Sequence, residues 1–397
     1  MKVLVAHNRY QSAMPSGENE VVDLEIAALR RAGVEVISYL RSSDEIAEMG
    51  AKDRFLLPFM PMYSRRATRE IVALLEEHLP DLVHLHNPYP LISLSLVRAT
   101  HEHGIPVVQT VHNHRHSCAR GSYYRDGHPC FECRGKALPW PAVQHGCYRD
   151  SRLQSVALAS ALASHRKDQR AVDKYIALSP SIAESLLDSG LVARDQVAIR
   201  PNSVPDPGQA TPPGTGLLFV GRLSREKGVP VLLDAWERSG APFGTLTFIG
   251  DGSERGLVEQ RAAVPGSGVV YLGMRERSEV NQALRGCAAL VVPSTAAEAL
   301  PLVILEAFAH GRPVLASRVG GLASVVDSSL GWLSEPETEA LATTMRVAAK
   351  ADHRTLGRAA RAAYERTFAP DIVIAQQLAI YEAVILEHRT RTGRVER

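Results

Sequence analysis

Long apolar runs are missing from this chain of 397 residues. None approaches the roughly 18 to 20 consecutive apolar residues that a membrane-crossing helix needs, so no transmembrane segment is expected. An excess of one charge is missing too. The 45 Lys and Arg nearly cancel the 43 Asp and Glu, leaving a formal charge of +2, which gives no strong pull toward nucleic acid or anionic lipid. A nucleic-acid partner is therefore not expected, and no membrane-binding helix stands out, although peripheral contact stays open. Internal repeats of the solenoid kind are absent. Cysteine is scarce, with five in all. The amino end, Met1 to His7, enters a strand pattern without a cleavable signal peptide, which predicts cytoplasmic residence.

What is present is a globular composition, 45% hydrophobic and 22% charged, in a chain long enough for two domains with separate cores. Short apolar runs at 3–6, 34–40, 82–85, 107–111 and 175–178 alternate with helical patterns, the rhythm of a parallel, doubly wound α/β sheet. The Pro- and Gly-rich stretch from Pro201 to Gly214 can continue neither a helix nor a central strand, so a linker is expected at 201–216. The rhythm then restarts at 217–220, 245–249, 269–272, 289–292 and 313–316, which predicts a second Rossmann-like domain. The expected organisation is a first domain over 1–200 with a Cys-rich insertion at 115–150, a donor-binding domain over 217–370, and a helical segment over 371–397.

The most informative segment runs from Glu298 through Pro301 and Glu306 to Gly311 and Pro313. Pro301 suits a first helical position, and Gly311 then Pro313 end the helix before a Val-Leu-Ala strand. Glu298 then sits in the entry loop and Glu306 inside an apolar helix, where a carboxylate needs a partner. A polyhydroxylated ligand would supply one. Upstream, Phe219-Val220-Gly221-Arg222 leads through Lys227-Gly228 into a helix start. The free N–H groups and dipole there favour an anion, as do Arg222 and Lys227 themselves. Read alone, the two are surface cations on a solvated helix end.

Together with Ile249-Gly250-Asp251-Gly252 and Tyr271-Leu272-Gly273, these segments resemble, in order, the donor-site motifs of the retaining glycosyltransferases of family 4. The resemblance is dense in the C-terminal half and holds only in outline in the N-terminal half. It implies the GT-B fold, in which two Rossmann-like domains face an interdomain cleft and a C-terminal helix crosses back onto the first. It also implies a nucleotide-sugar donor. By resemblance, Glu306 takes the ribose hydroxyls, Glu298 a hydroxyl of the transferred sugar with help from amides near Ala299 and Leu300, and backbone at Gly273 and Met274 the base. Arg222 and Lys227 balance the departing diphosphate, so no catalytic metal is required, and no Asp-x-Asp pair occurs to hold one. Many relatives carry Gly where Ala299 stands, which narrows backbone freedom here.

His112 follows the 107–111 strand and matches the family's catalytic-region histidine, with a hydrogen bond to the donor sugar as its implied role. The loop Ser12 to Glu20 resembles the family's Gly-rich loop with one glycine in place of two, putting Gly17 beside the donor, while Glu18, Asn19, His7 and Asn8 could face the acceptor. Cys118, Cys130, Cys133 and Cys147 fall in one loop, and the Cys-x-x-Cys spacing suits a structural zinc. His114, His116, His128 and His145 are alternative ligands, and reduced thiols are the plainer alternative.

The resulting expectation is a retaining hexosyltransferase using a UDP-sugar, with glucose or N-acetylglucosamine as the sugar. The acceptor hydroxyl would lie on a small aglycon, such as an aminocyclitol in antibiotic biosynthesis, or on a polysaccharide or lipid-linked glycan. A nucleotide-sugar epimerase and a noncatalytic nucleotide-sugar-binding protein are the competing classes.

Overall fold

The computed structural model describes residues 1–13 and 16–393. Met14 and Pro15, in the loop expected beside the donor, lie outside the described residues, as does 394–397 of the expected C-terminal segment.

The strands in chain order are β1 (Lys2–Arg9), β2 (Glu35–Ser42), β3 (Leu82–Leu85), β4 (Val107–Val111), the two-residue β5 (Tyr124–Arg125) and β6 (His128–Pro129), β7 (Lys174–Ala177), β8 (Val197–Ile199), β9 (Leu217–Val220), β10 (Leu246–Ile249), β11 (Val269–Tyr271), β12 (Ala289–Val292), β13 (Val314–Ser317) and β14 (Gly331–Ser334). Two parallel six-stranded sheets result, ordered β2-β1-β3-β4-β7-β8 and β11-β10-β9-β12-β13-β14, with β5 and β6 as a separate hairpin. Central strands such as β3 and β12 are buried along their whole length, as parallel strands covered on both faces must be. The sequence rhythm located ten of these strands to within three residues at each end; it missed the two-residue β5 and β6, and it also missed β8 and β14. Both are edge strands, and their mixed sequences, Val-Ala-Ile and Gly-Trp-Leu-Ser, carry a weaker apolar signal.

The chain divides into two compact units. One takes in Met1–Tyr123, Phe131–Pro201 and the chain from Val373 on; the other takes in Tyr124–Cys130 and Asn202–Ile372. In the first, Val3, Val5, Val22, Ile26, Leu82, Val108 and Ile176 form one core with Tyr381 and Val384. The last two come from the C-terminal helix Pro370–Thr392, so residues from both ends of the chain complete one interior. That helix lies in the stretch His353–Thr392, the one among the described residues long and apolar enough, by length and composition, to cross a membrane. Gln376, Gln377 and Glu382 interrupt its apolar residues, so no continuous apolar run forms, and Val373, Tyr381 and Val384 use its apolar side for packing. In the second unit the core centres on Trp236, Phe219, Phe248, Leu232 and Leu315, and the Trp236 indole N–H donates to Ser267 O at 2.8 Å.

Order reverses between β1 and β3 in the first sheet and between β9 and β12 in the second. Ligands of open parallel sheets bind outside the carboxyl ends of the strands at such a switch point. In the second unit the loops after β9 and β12 meet closely there: Gly228 has φ +73, and a Cβ on it would stand 1.9 Å from Pro293 O. Gly228→Ala therefore forces both a left-handed alanine and a backbone clash. We expect it to destabilise the second unit by about 2 kcal/mol or more, seen as a fall of several degrees in the thermal midpoint; an unchanged midpoint would contradict this packing.

Candidate functional site

At the switch point of the second sheet, the loop after β9 carries Arg222 and Lys227 and the loop after β12 carries Glu298. Lys227 Nζ donates to Glu298 Oε1 at 2.6 Å, and Ser294 Oγ donates to the same oxygen at 2.7 Å. Burial raises the Glu298 carboxyl, but Lys227, the Ser294 hydroxyl and Arg222 outweigh it and hold the group below its ordinary value. The backbone of Glu298 is fixed as well. Its carbonyl accepts from Gly321 N at 2.7 Å, and Gly320, at φ +50, approaches so closely that a Cβ would lie 2.5 Å from that oxygen. Arg222 pairs with Glu226 four residues on, with its side chain 54% exposed and so available to a ligand.

Glu306 lies in the helix Leu302–Ala309, whose N-cap is Pro301. Pro301 thus sits just outside the helix, one position before the expected start, with extended φ and ψ of −65° and 131°. The Glu306 carboxylate accepts from Arg277 Nη2 at 3.0 Å. Burial still raises it above its ordinary value, with Arg277 opposing. Its side chain keeps 15% exposure, leaving one face for another donor. Leu300 is buried and Ala299 half-buried beside it. Gly273 and Met274 line a separate pocket with Asp251, Arg255, Tyr271 and Leu272.

The first unit builds its own polar site where β1, β3 and β4 end. The carboxylate of Glu25, buried at 7% exposure, gathers Arg200 Nη2 at 2.5 Å, Gln377 Nε2 at 2.8 Å, His84 Nδ1 at 3.0 Å and His86 Nε2 at 3.3 Å. Burial alone would raise it, but Arg200 and the two imidazoles hold it well below the usual carboxylate range. His86 Nδ1 lies 2.8 Å from His112 Nε2. Burial pushes His86 down to about 4 and His112 well below its ordinary value, so both rings are neutral and one nitrogen of the pair donates while the other accepts. The ionised Glu25, 3.3 Å from His86 Nε2, favours a proton there by charge alone, since the contact falls outside hydrogen-bond geometry; that leaves His86 Nδ1 to accept from His112 Nε2–H. His112 Nδ1 then carries a bare lone pair.

His112 and His86 line a narrow, half-open pocket with Glu18, Asn113, Arg115, Gln169 and Tyr175 among its walls. Glu18 accepts from Tyr10 Oη and from Asn113 Nδ2, both at 3.3 Å. Burial drives it up to about 7, against the opposing pull of Arg115 and those two hydrogen bonds. Asn19 Oδ1 lies 3.1 Å from His7 Nε2, and Asn8 donates to Ser43 Oγ and Arg9 O; these three brace the loop and are taken up within the unit. Gly17 opens the helix Gly17–Arg31 with open space where a Cβ would be.

The zinc expectation finds no support among the described residues. Among the described residues, the only group of three or more His, Cys, Asp or Glu side chains compact enough to share a metal is Glu25, His84 and His86. Arg200 already occupies that group as its cation, and Cys118, Cys130, Cys133 and Cys147 form no such set. The loop has another staple. Ser185 Oγ lies 3.1 Å from His114 Nδ1, 3.1 Å from His116 Nε2 and 3.0 Å from Tyr123 Oη, and Arg134 pairs with Asp188. Burial lowers His114 to about 3 and His116 to about 4, which suits neutral hydrogen-bonding rings. His128 and His145 stand apart, bonded to Asp126 O and facing Glu132.

A family model described as Glycosyltransferase Family 4 matches residues 15–206, and one described as Glycosyl transferases group 1 matches residues 214–350. The chain belongs to the family 4 type of glycosyltransferase. Its curated relatives include the sulfoquinovosyl transferase SQD2 of Arabidopsis thaliana, 26% identical over 219 residues, which are 50% of this chain and 42% of that protein. Another is the D-inositol 3-phosphate glycosyltransferase of Jonesia denitrificans, 31% identical over 196 residues, 46% of each. The chain thus spans under half the length of these relatives. Among solved structures, Anabaena HepE in complex with UDP superposes with a TM-score of 0.64 at 20% identity, over 96% of this chain and 100% of that one, a likeness in the GT-B fold.

Several residues of this glycosyltransferase's sites escaped sequence reasoning. Ser294 stands four residues before Glu298 in the same loop, and Arg277 opens the helix Arg277–Gly286; neither lies in the motif it serves. Arg115 and Tyr10, joined at 3.1 Å, are 105 residues apart in sequence. Only the cluster of polar residues around His112 hinted at Arg115. The Lys227–Glu298 pair carries a stability prediction. Because Glu298 is lowered when folded, it stabilises above about pH 4.5, and that contribution is lost as pH falls through its folded value. Lys227→Met should cost about 1–3 kcal/mol near neutrality, and adding Glu298→Gln should recover much of it. A double variant no more stable than Lys227→Met would show that the pair is not coupled.

Proposed function

We propose that this chain transfers a hexose, of the glucose or N-acetylglucosamine type, from a UDP-sugar to an acceptor hydroxyl with retention of anomeric configuration. The observation that carries the reading is the Lys227–Glu298 ion pair at the carboxyl ends of β9 and β12, a cation and an acceptor group side by side at a switch point. The bond from the sugar's anomeric carbon to the diphosphate oxygen breaks, and one to the acceptor oxygen forms on the same face. The acceptor proton goes to the departing diphosphate. Arg222 and Lys227 stabilise the charge that grows there, Glu298 holds a sugar hydroxyl with the amides of Ala299 and Leu300, and Glu306 holds the ribose. The pocket at Gly273 and Met274 takes the base, and Gly17 lies near the phosphates.

His112, through its bare Nδ1, accepts a hydrogen bond from a hydroxyl of the donor sugar. The acceptor enters the pocket of the first unit, where Glu18 and Asn113 meet its hydroxyls. The polar walls favour a small polyhydroxylated aglycon, and the cyclitol phosphate in the name of the Jonesia relative fits that class. A lipid-linked acceptor is the second reading, favoured by an exposed apolar segment on the same unit, Phe55 to Tyr63.

Mass spectrometry of the protein incubated with UDP-glucose, UDP-N-acetylglucosamine and a panel of cyclitols and glycans, with released UDP followed in parallel, tests the reaction. A glycosylated product whose anomeric centre matches the donor supports it; an inverted centre or an epimerised free donor sinks it. Glu306→Ala should lower kcat/KM by roughly ten- to a hundredfold, the loss of one hydrogen bond to a charged group, with the fold intact. Full activity in that variant would remove Glu306 from the site. With Glu18 titrating near 7, the acceptor KM should fall as pH rises through that value, because a carboxylate is the stronger hydrogen-bond acceptor. Glu18→Gln should flatten the profile, and a wild-type profile without that inflection would contradict the assignment.

A further inference from the structure

Phe55, Leu56, Phe59 and Tyr63 are 77%, 42%, 53% and 53% exposed, a concentration of large apolar side chains that a water-facing loop does not need. They lie on the short helix Ala51–Leu56, the 3₁₀ turn Leu57–Phe59 and the turn after it, where Met62 N and Tyr63 N both donate to Phe59 O. The base of the segment is anchored. Pro61 is buried, its carbonyl lies 3.0 Å from His165 Nε2, and Met62 O accepts from Ser93 Oγ at 3.2 Å. The aromatic side chains are thus held outward by a fixed backbone.

The fringe of the patch is basic. Arg54, Arg65, Arg66 and Arg69 are exposed along the segment and the helix that follows, and exposed Lys167 stands two positions from His165, which grips Pro61. Against them stand exposed Asp53 and Glu48 and half-buried Glu70, the last of which pairs with Arg66 at 2.7 Å. A symmetric contact with a second copy would place the same arginines opposite one another, whereas an anionic lipid surface satisfies both the aromatic and the cationic parts. We propose that this segment seats the protein on an anionic bilayer surface, with Phe55, Leu56, Phe59 and Tyr63 entering the headgroup region and Arg54, Arg65, Arg66 and Arg69 meeting lipid phosphates. The near-neutral total charge of the chain conceals this local arrangement. The docking stands apart from the sugar-transfer reading, and either can fail alone.

Co-sedimentation of the full chain with phosphatidylcholine vesicles, with and without phosphatidylglycerol and at low and high salt, tests it. The expected result is capture by the anionic vesicles only, weakened by salt. Binding should fall at least roughly tenfold in Phe55→Ser/Phe59→Ser, a loss of two partly inserted rings, and similarly in Arg65→Glu/Arg66→Glu. All four positions are exposed, so thermal midpoints should stay at the wild-type value and show that the variants are folded. Absence of capture, or variants that sediment as well as wild type, would overturn the proposal. So would a concentration-dependent dimer in analytical ultracentrifugation that Phe55→Ser/Phe59→Ser abolishes, which would assign the patch to a second copy.

Discussion

The ion pair of Lys227 with Glu298 joins the loop after β9 to the loop after β12, and the donor half of the proposed reaction depends on it. A parallel sheet sealed on both faces leaves its strands no polar work along their length, so ligand chemistry is displaced to the carboxyl edge. At that edge two loops must approach without a shared core to hold them. Gly228 and Gly320 permit the backbones to come close, and the ion pair with Ser294 then fixes the side chains. A ligand diphosphate would compete with Glu298 for the Lys227 ammonium, so the pair also keeps the cation in place before a ligand arrives.

The first unit meets the same constraint differently. There the charge is interior: Glu25 is neutralised by Arg200 and surrounded by Gln377, His84 and His86. A buried carboxylate of this kind is tolerable only when its partners are complete. Its influence reaches the pocket through His86, which passes the orientation of Glu25 to His112 over two contacts. The electrostatics that set the tautomer of His112 thus originate in the helix Gly17–Arg31.

The α/β class, the two sheets and the Glu298–Glu306 segment were legible because each rests on local pattern: buried runs of four or five residues, a Pro before a helix and a Gly after it. β8 and β14 were not, since Val-Ala-Ile is too short and Gly-Trp-Leu-Ser too mixed to stand out, whereas the other edge strands, β2 and β11, kept a readable pattern. The cysteine spacing did not show how the loop is held, because Cys-x-x-Cys reports proximity in sequence, and the hydrogen bonds to Ser185 come from a helix some seventy residues further along. Pairings such as Arg277 with Glu306, and the whole set around Glu25, join positions between 29 and 352 residues apart. No local pattern encodes them. Side-chain chemistry named the candidates at each site, and only the fold selected their partners.

Tyr381 and Val384 belong to the interior of the first unit, and Tyr381 Oη lies 2.6 Å from His84 Nδ1. On a ribosome, which delivers domains amino end first, this reverses the usual order of maturation. The segment from Asn202 to Ile372 is whole as soon as it emerges. The earlier half must wait, its sheet uncapped and His84 short of a partner, until the middle of the C-terminal helix has been made.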